Sequence, residues 1–166
     1  MKRVLTLVLA VTLLLCGCGK KQPEPQKQEE NTAPTGLVLN NVTIQVGEEL
    51  TATQKEALGQ PSETQEFPSC ISGATDHKYI YSEFTLQAYP QDDAEILQIV
   101  ELLTNTYATE KGIKVGDTTE AVKEAYGEPD LEEKFYMDYN LTDTIVLSFE
   151  LKDGVVTKIV YTDNIE

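Results

Sequence analysis

Apolar and polar residues alternate cleanly near the C-terminal end of the chain. Ile145, Leu147, Phe149 and Leu151 share one side of a period-2 pattern, and Val156 to Tyr161 returns after Lys152-Asp153-Gly154. Two half-buried strands joined by an Asp-Gly hairpin turn produce this pattern. The aromatic stretch from Lys134 to Asn140 reads as a third strand. Upstream, Lys78 to Tyr81 and Phe84 to Tyr89 are strand-like, and Pro90-Gln91-Asp92-Asp93 reads as a turn. Residues 95–103 fit two periods. Ile96, Leu97, Val100 and Leu103 suit a helix, whereas Leu97 and Ile99 suit a strand only loosely.

An internal repeat favours the strand. Ile44-Gln45-Val46-Gly47-Glu48 matches Ile113-Lys114-Val115-Gly116-Asp117. Lys55-Glu56-Ala57-Leu58-Gly59-Gln60-Pro61 then matches Lys123-Glu124-Ala125-Tyr126-Gly127-Glu128-Pro129, with five of seven positions identical. The repeat aligns Ile99-Val100 with Ile159-Val160 and so predicts a strand over 95–103.

Each repeated segment predicts a short helix, about 51–58 and 118–126. Thr51 with Gln54, and Asp117 with Glu120, have the spacing of capping pairs. Gly59 and Gly127 suit a left-handed C-terminal position, and Pro61 and Pro129 stop continuation. Helices of two or three turns are marginal alone in water, so both must dock. About three antiparallel strands are expected after each. Segment 62–77, rich in Ser, Thr and Gly, reads as a surface insertion. The predicted class is α+β: two tandem units, 37–104 and 105–166, each a short helix packed on an antiparallel meander.

The N-terminal pattern is different. Lys2 and Arg3 precede a mostly apolar run of twelve residues from Val4 to Leu15. A membrane-spanning helix needs about 20 residues, so the run reads as part of a signal peptide. Leu15-Cys16-Gly17-Cys18 resembles a bacterial lipobox. That resemblance implies acylation of Cys18, with palmitate among the lipids, and cleavage before it. Cys16 is the weaker candidate, because bulky Leu15 precedes it. Residues 19–36, with Lys, Gln, Glu and Pro, read as a flexible linker. The chain is expected at the extracytoplasmic face of a cell membrane, held by its lipid.

Composition narrows function further. The chain has 166 residues, 13 basic against 28 acidic, and net charge −15. Removal of residues 1–17 leaves 11 Lys and no Arg against all 28 acidic residues, a net charge of −17. Nucleic-acid binding, which needs clustered cations, is excluded. With Cys16 removed and Cys18 acylated, Cys70 has no intrachain disulfide partner.

The Val-Gly-Asp/Glu segment, the short helix, the Gly-x-Pro stop and the meander carrying Lys-Asp-Gly together resemble a known group. They are similar to the α+β units of the beta-lactamase inhibitory protein family and of SmpA/OmlA-type outer-membrane assembly lipoproteins. The overall look is that of a lipoprotein from a Gram-positive bacterium. The resemblance implies helices on one face of an antiparallel sheet and a free opposite face. It departs in two respects: those inhibitors brace their units with disulfides and use Trp, and this chain has neither resource.

No reaction is identifiable. Cys70, Asp76 and His77 offer nucleophile, acid and base, but in an apparent loop without the flanking signatures of cysteine enzymes. Residues 138–149 open like a calcium loop, yet Asp143 stands where glycine is required and Phe149 where glutamate is. Asp92, Asp93 and Glu95 read as a solvated acidic turn. No cofactor or metal is expected. The remaining signal is aromatic. Tyr79, Tyr81, Tyr136 and Tyr139 are the candidate partner-binding residues, within a wider set including Phe84, Tyr89, Phe135, Phe149 and Tyr161. Exposed Tyr is favoured at protein interfaces. The expectation is a non-catalytic module that binds an extracytoplasmic protein or envelope component. Alternatives are an inhibitor of a secreted enzyme such as a beta-lactamase, and a small hydrolase working through carboxylates.

Overall fold

The computed structural model describes residues 36–70 and 73–165. The expectations for the signal peptide, Cys18 and nearly all of the linker lie outside these residues. The elements are β1 (Gly36–Leu39), β2 (Val42–Gln45), α1 (Ala52–Leu58), β3 (Glu63–Pro68), β4 (Thr75–Ile80), β5 (Phe84–Gln91), β6 (Ala94–Leu102), α2 (Thr119–Tyr126), β7 (Leu131–Glu132), β8 (Tyr136–Asn140), β9 (Ile145–Lys152) and β10 (Val155–Asp163). Strands β3 to β10 form one antiparallel sheet in the order β3-β4-β5-β6-β10-β9-β8-β7. β6 and β10 meet at its centre, where Leu102 faces Ile159 and Val100 faces Tyr161. The fold of the described residues is therefore mixed α+β, with two short helices and mostly antiparallel strands.

One face of the sheet carries the core. Phe84 and Leu86 of β5, Leu97, Val100 and Leu102 of β6, Leu147 and Phe149 of β9, and Ile159 and Tyr161 of β10 are all buried in one cluster. Leu58 of α1, Val122 of α2 and the inner residues of the β1–β2 hairpin (Leu37, Leu39, Ile44) belong to it too. Both helices and the hairpin thus cover the same face.

The two helix entries have the same backbone geometry. Gly47 N–H donates to Leu97 O, Leu97 N–H to Glu48 O, and Leu50 N–H to Glu95 O. In the other half, Gly116 N–H donates to Val156 O, Val156 N–H to Asp117 O, and Thr119 N–H to Gly154 O. The helix exits match as well. Gly59 and Gly127 end α1 and α2 at φ of 89° and 86°, a conformation that L side chains resist. Each cap N–H bonds back into its helix, to Glu56 O and Lys123 O.

Several local expectations are corrected. Thr51 and Gln54 form the capping box of α1, but α2 is capped by Thr118, whose hydroxyl accepts from Ala121 N–H. Asp117 instead turns back to accept from Lys114 N–H at 2.8 Å. Segment 62–77 is not simply a surface insertion: it supplies β3 and the start of β4, so four strands rather than three follow α1, and with the two-residue β7 four also follow α2. β3 escapes periodicity because it is an edge strand whose first four residues are all exposed. Pro90 sits within β5 opposite Glu95, and the turn proper follows it, with Asp92 at φ 54°. The β1–β2 hairpin turns on Asn40 and Asn41, both at positive φ, a pair whose side chains tolerate that region. Residues 94–102 form a strand, β6, with a bulge opposite Gln87.

Candidate functional site

Strand alternation sends every second residue to the face away from α1 and α2, which is helix-free among the described residues. On that face the registers align Lys78 of β4, Thr85 of β5, Glu101 of β6, Lys158 of β10, Glu150 of β9 and Tyr136 and Asp138 of β8. The charges among them form a ladder. Lys78 Nζ donates to Glu101 Oε2 at 2.8 Å, and Thr85 Oγ1 donates to the same oxygen at 2.6 Å. Lys158 Nζ bridges Glu101 Oε1 at 3.5 Å and Glu150 Oε1 at 2.9 Å. Burial pushes the Glu101 carboxyl up, but the bonds from Lys78 and Thr85 and the charge of Lys158 outweigh it and hold it below the usual range. The hydrogen bond to Glu150 raises the Lys158 ammonium despite its partial burial. These groups neutralise one another across the middle of the face.

Toward β7 the face opens into two adjoining hollows of about 590 and 440 Å³ that share Asp138 and Ser148. Phe135, Tyr136, Glu150 and Val160 line the first; Asp130, Leu131, Asn140 and Thr162 line the second. Phe135 is 63% exposed, and Leu131 and Tyr136 are exposed as well. Asp130 Oδ2 accepts from Asn140 N–H at 2.7 Å. Asp138 Oδ1 is enclosed without a hydrogen-bond partner among the described residues.

A second polar cluster lies on the helix side, where β4 passes α1. Glu95 Oε2 pairs with Lys55 Nζ of α1, and Glu95 Oε1 with His77 Nδ1. Tyr79 donates its hydroxyl to the same carboxylate at 2.9 Å. Burial raises the Glu95 carboxyl and the bonds from Lys55, Tyr79 and His77 lower it further than that, so the net displacement is downward. Burial and the Glu95 carboxylate push the Tyr79 hydroxyl well above its ordinary value. A cleft of about 380 Å³ beside this cluster is lined by Lys55, Gly59, Pro61, Thr64, Tyr79 and Tyr81. The arrangement ties α1 to the sheet, since Lys55 of α1 and His77 and Tyr79 of β4 share the two carboxylate oxygens of Glu95.

The four candidate tyrosines therefore separate. Tyr79 and Tyr81 are half-buried on the helix side, and Tyr81 stacks on Phe84 at 4.4 Å and donates to Gly59 O. Tyr139 is 5% exposed and belongs to the core, where its ring meets Tyr126 and Phe149. Only Tyr136 lies on the helix-free face at a hollow. The reason is parity: Tyr139 is three residues from Tyr136 on one strand and so points to the opposite side. Phe135, Asp138 and Glu101 were legible only as strand residues of unspecified face. Asp138 belongs to the segment that opens like a calcium loop; in the fold it is extended, with Asp138 and Tyr139 on opposite faces.

Asp76 and His77 are consecutive in β4 and also point oppositely; His77 turns to Glu95, and Asp76 is buried. Cys70 is exposed. Among the described residues no three His, Cys, Asp or Glu side chains gather as a metal site, and no helix is long and apolar enough to cross a membrane. No protein family, curated protein sequence or solved structure matches the chain.

Proposed function

We propose that this chain is an exported lipoprotein, acylated at Cys18, whose folded part binds an extracytoplasmic protein or envelope component through its helix-free face, without catalysis of its own. The observation that carries this reading is the exposure of Phe135, Tyr136 and Leu131 around hollows on that face. Aromatic groups at the rim of a depression suit a protein partner, since they bury large area with little loss of side-chain freedom. Export and anchoring rest on Lys2-Arg3, the apolar run to Leu15 and the small-residue cysteine site.

The same reading takes the domain as two tandem units, 37–104 and 105–166, each a helix on a meander. Its support is the pairing of the two helix entries through Gly47 and Gly116, and of the two exits through Gly59 and Gly127. The likeness of its repeated segments to the units of beta-lactamase inhibitory and SmpA/OmlA-type proteins supports this reading, because those units leave one sheet face free for a partner.

The test uses the full chain in the cell that makes it, with a photo-crosslinking amino acid at Phe135. A single protein crosslinked from Phe135, and not from the exposed α2 position Glu124, supports the reading. No adduct from Phe135, or equal adducts from both positions, overturns it.

A further inference from the structure

We propose that the hollows over β8 to β10 receive a lysine or arginine side chain, carried on an extended basic segment of a protein partner and seated on Asp138. This rests on the binding reading above and names its chemistry. The ladder on the helix-free face runs cation, anion, cation, anion from Lys78 through Glu101 and Lys158 to Glu150. The next strand, β8, should supply a cation to continue it. It supplies Asp138 instead, two residues from Tyr136, the register partner of Glu150. Among the described residues no lysine lines either hollow, while Asp130, Asp138 and Glu150 do. Lys158, the cation nearest in register, is already shared between Glu150 and Glu101.

The walls suit the stem of a long cationic side chain. Phe135, Tyr136 and Leu131 offer apolar surface beside the carboxylates, and lysine and arginine bury their methylenes on such surface while keeping the charge at a polar end. Phe135 already receives an ammonium: Lys134 Nζ lies 4.9 Å from its ring centre. The chain's net charge of −15 draws cationic segments and repels a second, equally acidic copy.

The probe is the fluorescein-labelled peptide Ser-Lys-Phe-Lys-Phe-Lys-Ser, titrated against the full chain in detergent at low salt, with its Lys-to-Glu counterpart as control. Saturable binding of the lysine peptide alone is expected, weakened about tenfold by Asp138→Asn and unchanged by Glu124→Gln, which removes one charge on the helix side. Phe135→Ala, at an exposed position, should weaken it comparably should Asp138→Asn fail to fold. No saturable binding, equal binding of the acidic peptide, or equal weakening by Glu124→Gln overturns the inference. A Phe135 crosslink that persists unchanged in Asp138→Asn removes this inference and leaves the binding reading standing. Absence of the crosslink in the wild-type chain removes both.

Discussion

Tyr139 donates its hydroxyl to the carbonyl oxygen of Gly127 at 3.0 Å, joining a core strand to the residue that ends α2. Tyr81 makes the corresponding bond to Gly59 O, at 3.3 Å, at the end of α1. The last carbonyls of a helix lack intrahelical donors. A helix of seven or eight residues has too few internal bonds to stand alone, so its terminus gains from an external donor. Each tyrosine supplies one, and its ring packs on a buried phenylalanine in the same contact.

Replacing Tyr139 by Phe should keep the ring and lose the bond. The expected cost is about 1 kcal/mol, read as a lower urea midpoint with unchanged slope. Burial, with the carboxylates of Glu128, Glu132 and Asp130 nearby, pushes the Tyr139 hydroxyl up to about 12. Because the folded value is the higher one, this contribution is complete below pH 10, the ordinary tyrosine value, and disappears as pH rises through about 12. The difference between wild type and Tyr139→Phe should therefore be constant from pH 7 to 9. A difference that vanishes below pH 9 would contradict the assignment.

Acid should act through Glu95 and Glu101. Both carboxyls are held below the usual range, overcoming burial by bonds from Lys55, Tyr79 and His77 in one case and Lys78 and Thr85 in the other. A depressed folded value means that the stabilisation is present above the unfolded value, about 4.3 for Glu, and is lost as pH falls through the folded one. The thermal midpoint should drop between pH 6 and pH 3. Glu101→Gln should lower the midpoint at pH 6 and make the drop to pH 3 smaller. An unchanged pH slope in Glu101→Gln would show that this carboxylate is not part of the acid response.

The strands of the second half were legible because one face is apolar and the other polar, as at Ile145, Leu147, Phe149 and Leu151. The repeat carried β6, where Ile96, Ile99 and a bulge at Gln98 blur the period. β3 was not legible, since an edge strand without a buried face leaves no alternation. The site was partly legible. Aromatic enrichment marked the strands, but which tyrosines face outward depends on register. Tyr79 and Tyr136 both look like exposed strand tyrosines until Lys78 and Asp138 are seen to share the helix-free face. The charge ladder was invisible for the same reason: its residues are contributed by separate strands of both halves.

Tyr79 and Phe135 should behave oppositely on truncation. Tyr79 is half-buried, its hydroxyl engaged by Glu95 and its ring beneath Lys55. Tyr79→Ala should cost about 2 kcal/mol, less than the 3–5 kcal/mol typical of a fully buried aromatic. Phe135 is 63% exposed, so Phe135→Ala should change stability by about 0.5 kcal/mol or less while weakening binding of the lysine peptide. Urea unfolding and the lysine-peptide titration, run on both variants, separate a structural residue from a binding one. Loss of stability in Phe135→Ala would place its ring in the fold rather than at an interface.

Cys18 should be the acylated residue, and the readout must be the lipid itself. Cys18→Ser can block cleavage and leave the apolar run from Val4 to Leu15 attached, so the variant could still sediment with membranes. Incorporation of labelled palmitate is free of that ambiguity. Label should enter the wild type and Cys16→Ser, and be absent from Cys18→Ser. The mature wild-type chain should begin at Cys18 and carry net charge −17, which argues against retention by anionic lipid headgroups and for retention by acyl chains. Palmitate entering Cys18→Ser but not Cys16→Ser would move the site to Cys16 and lengthen the tether by two residues.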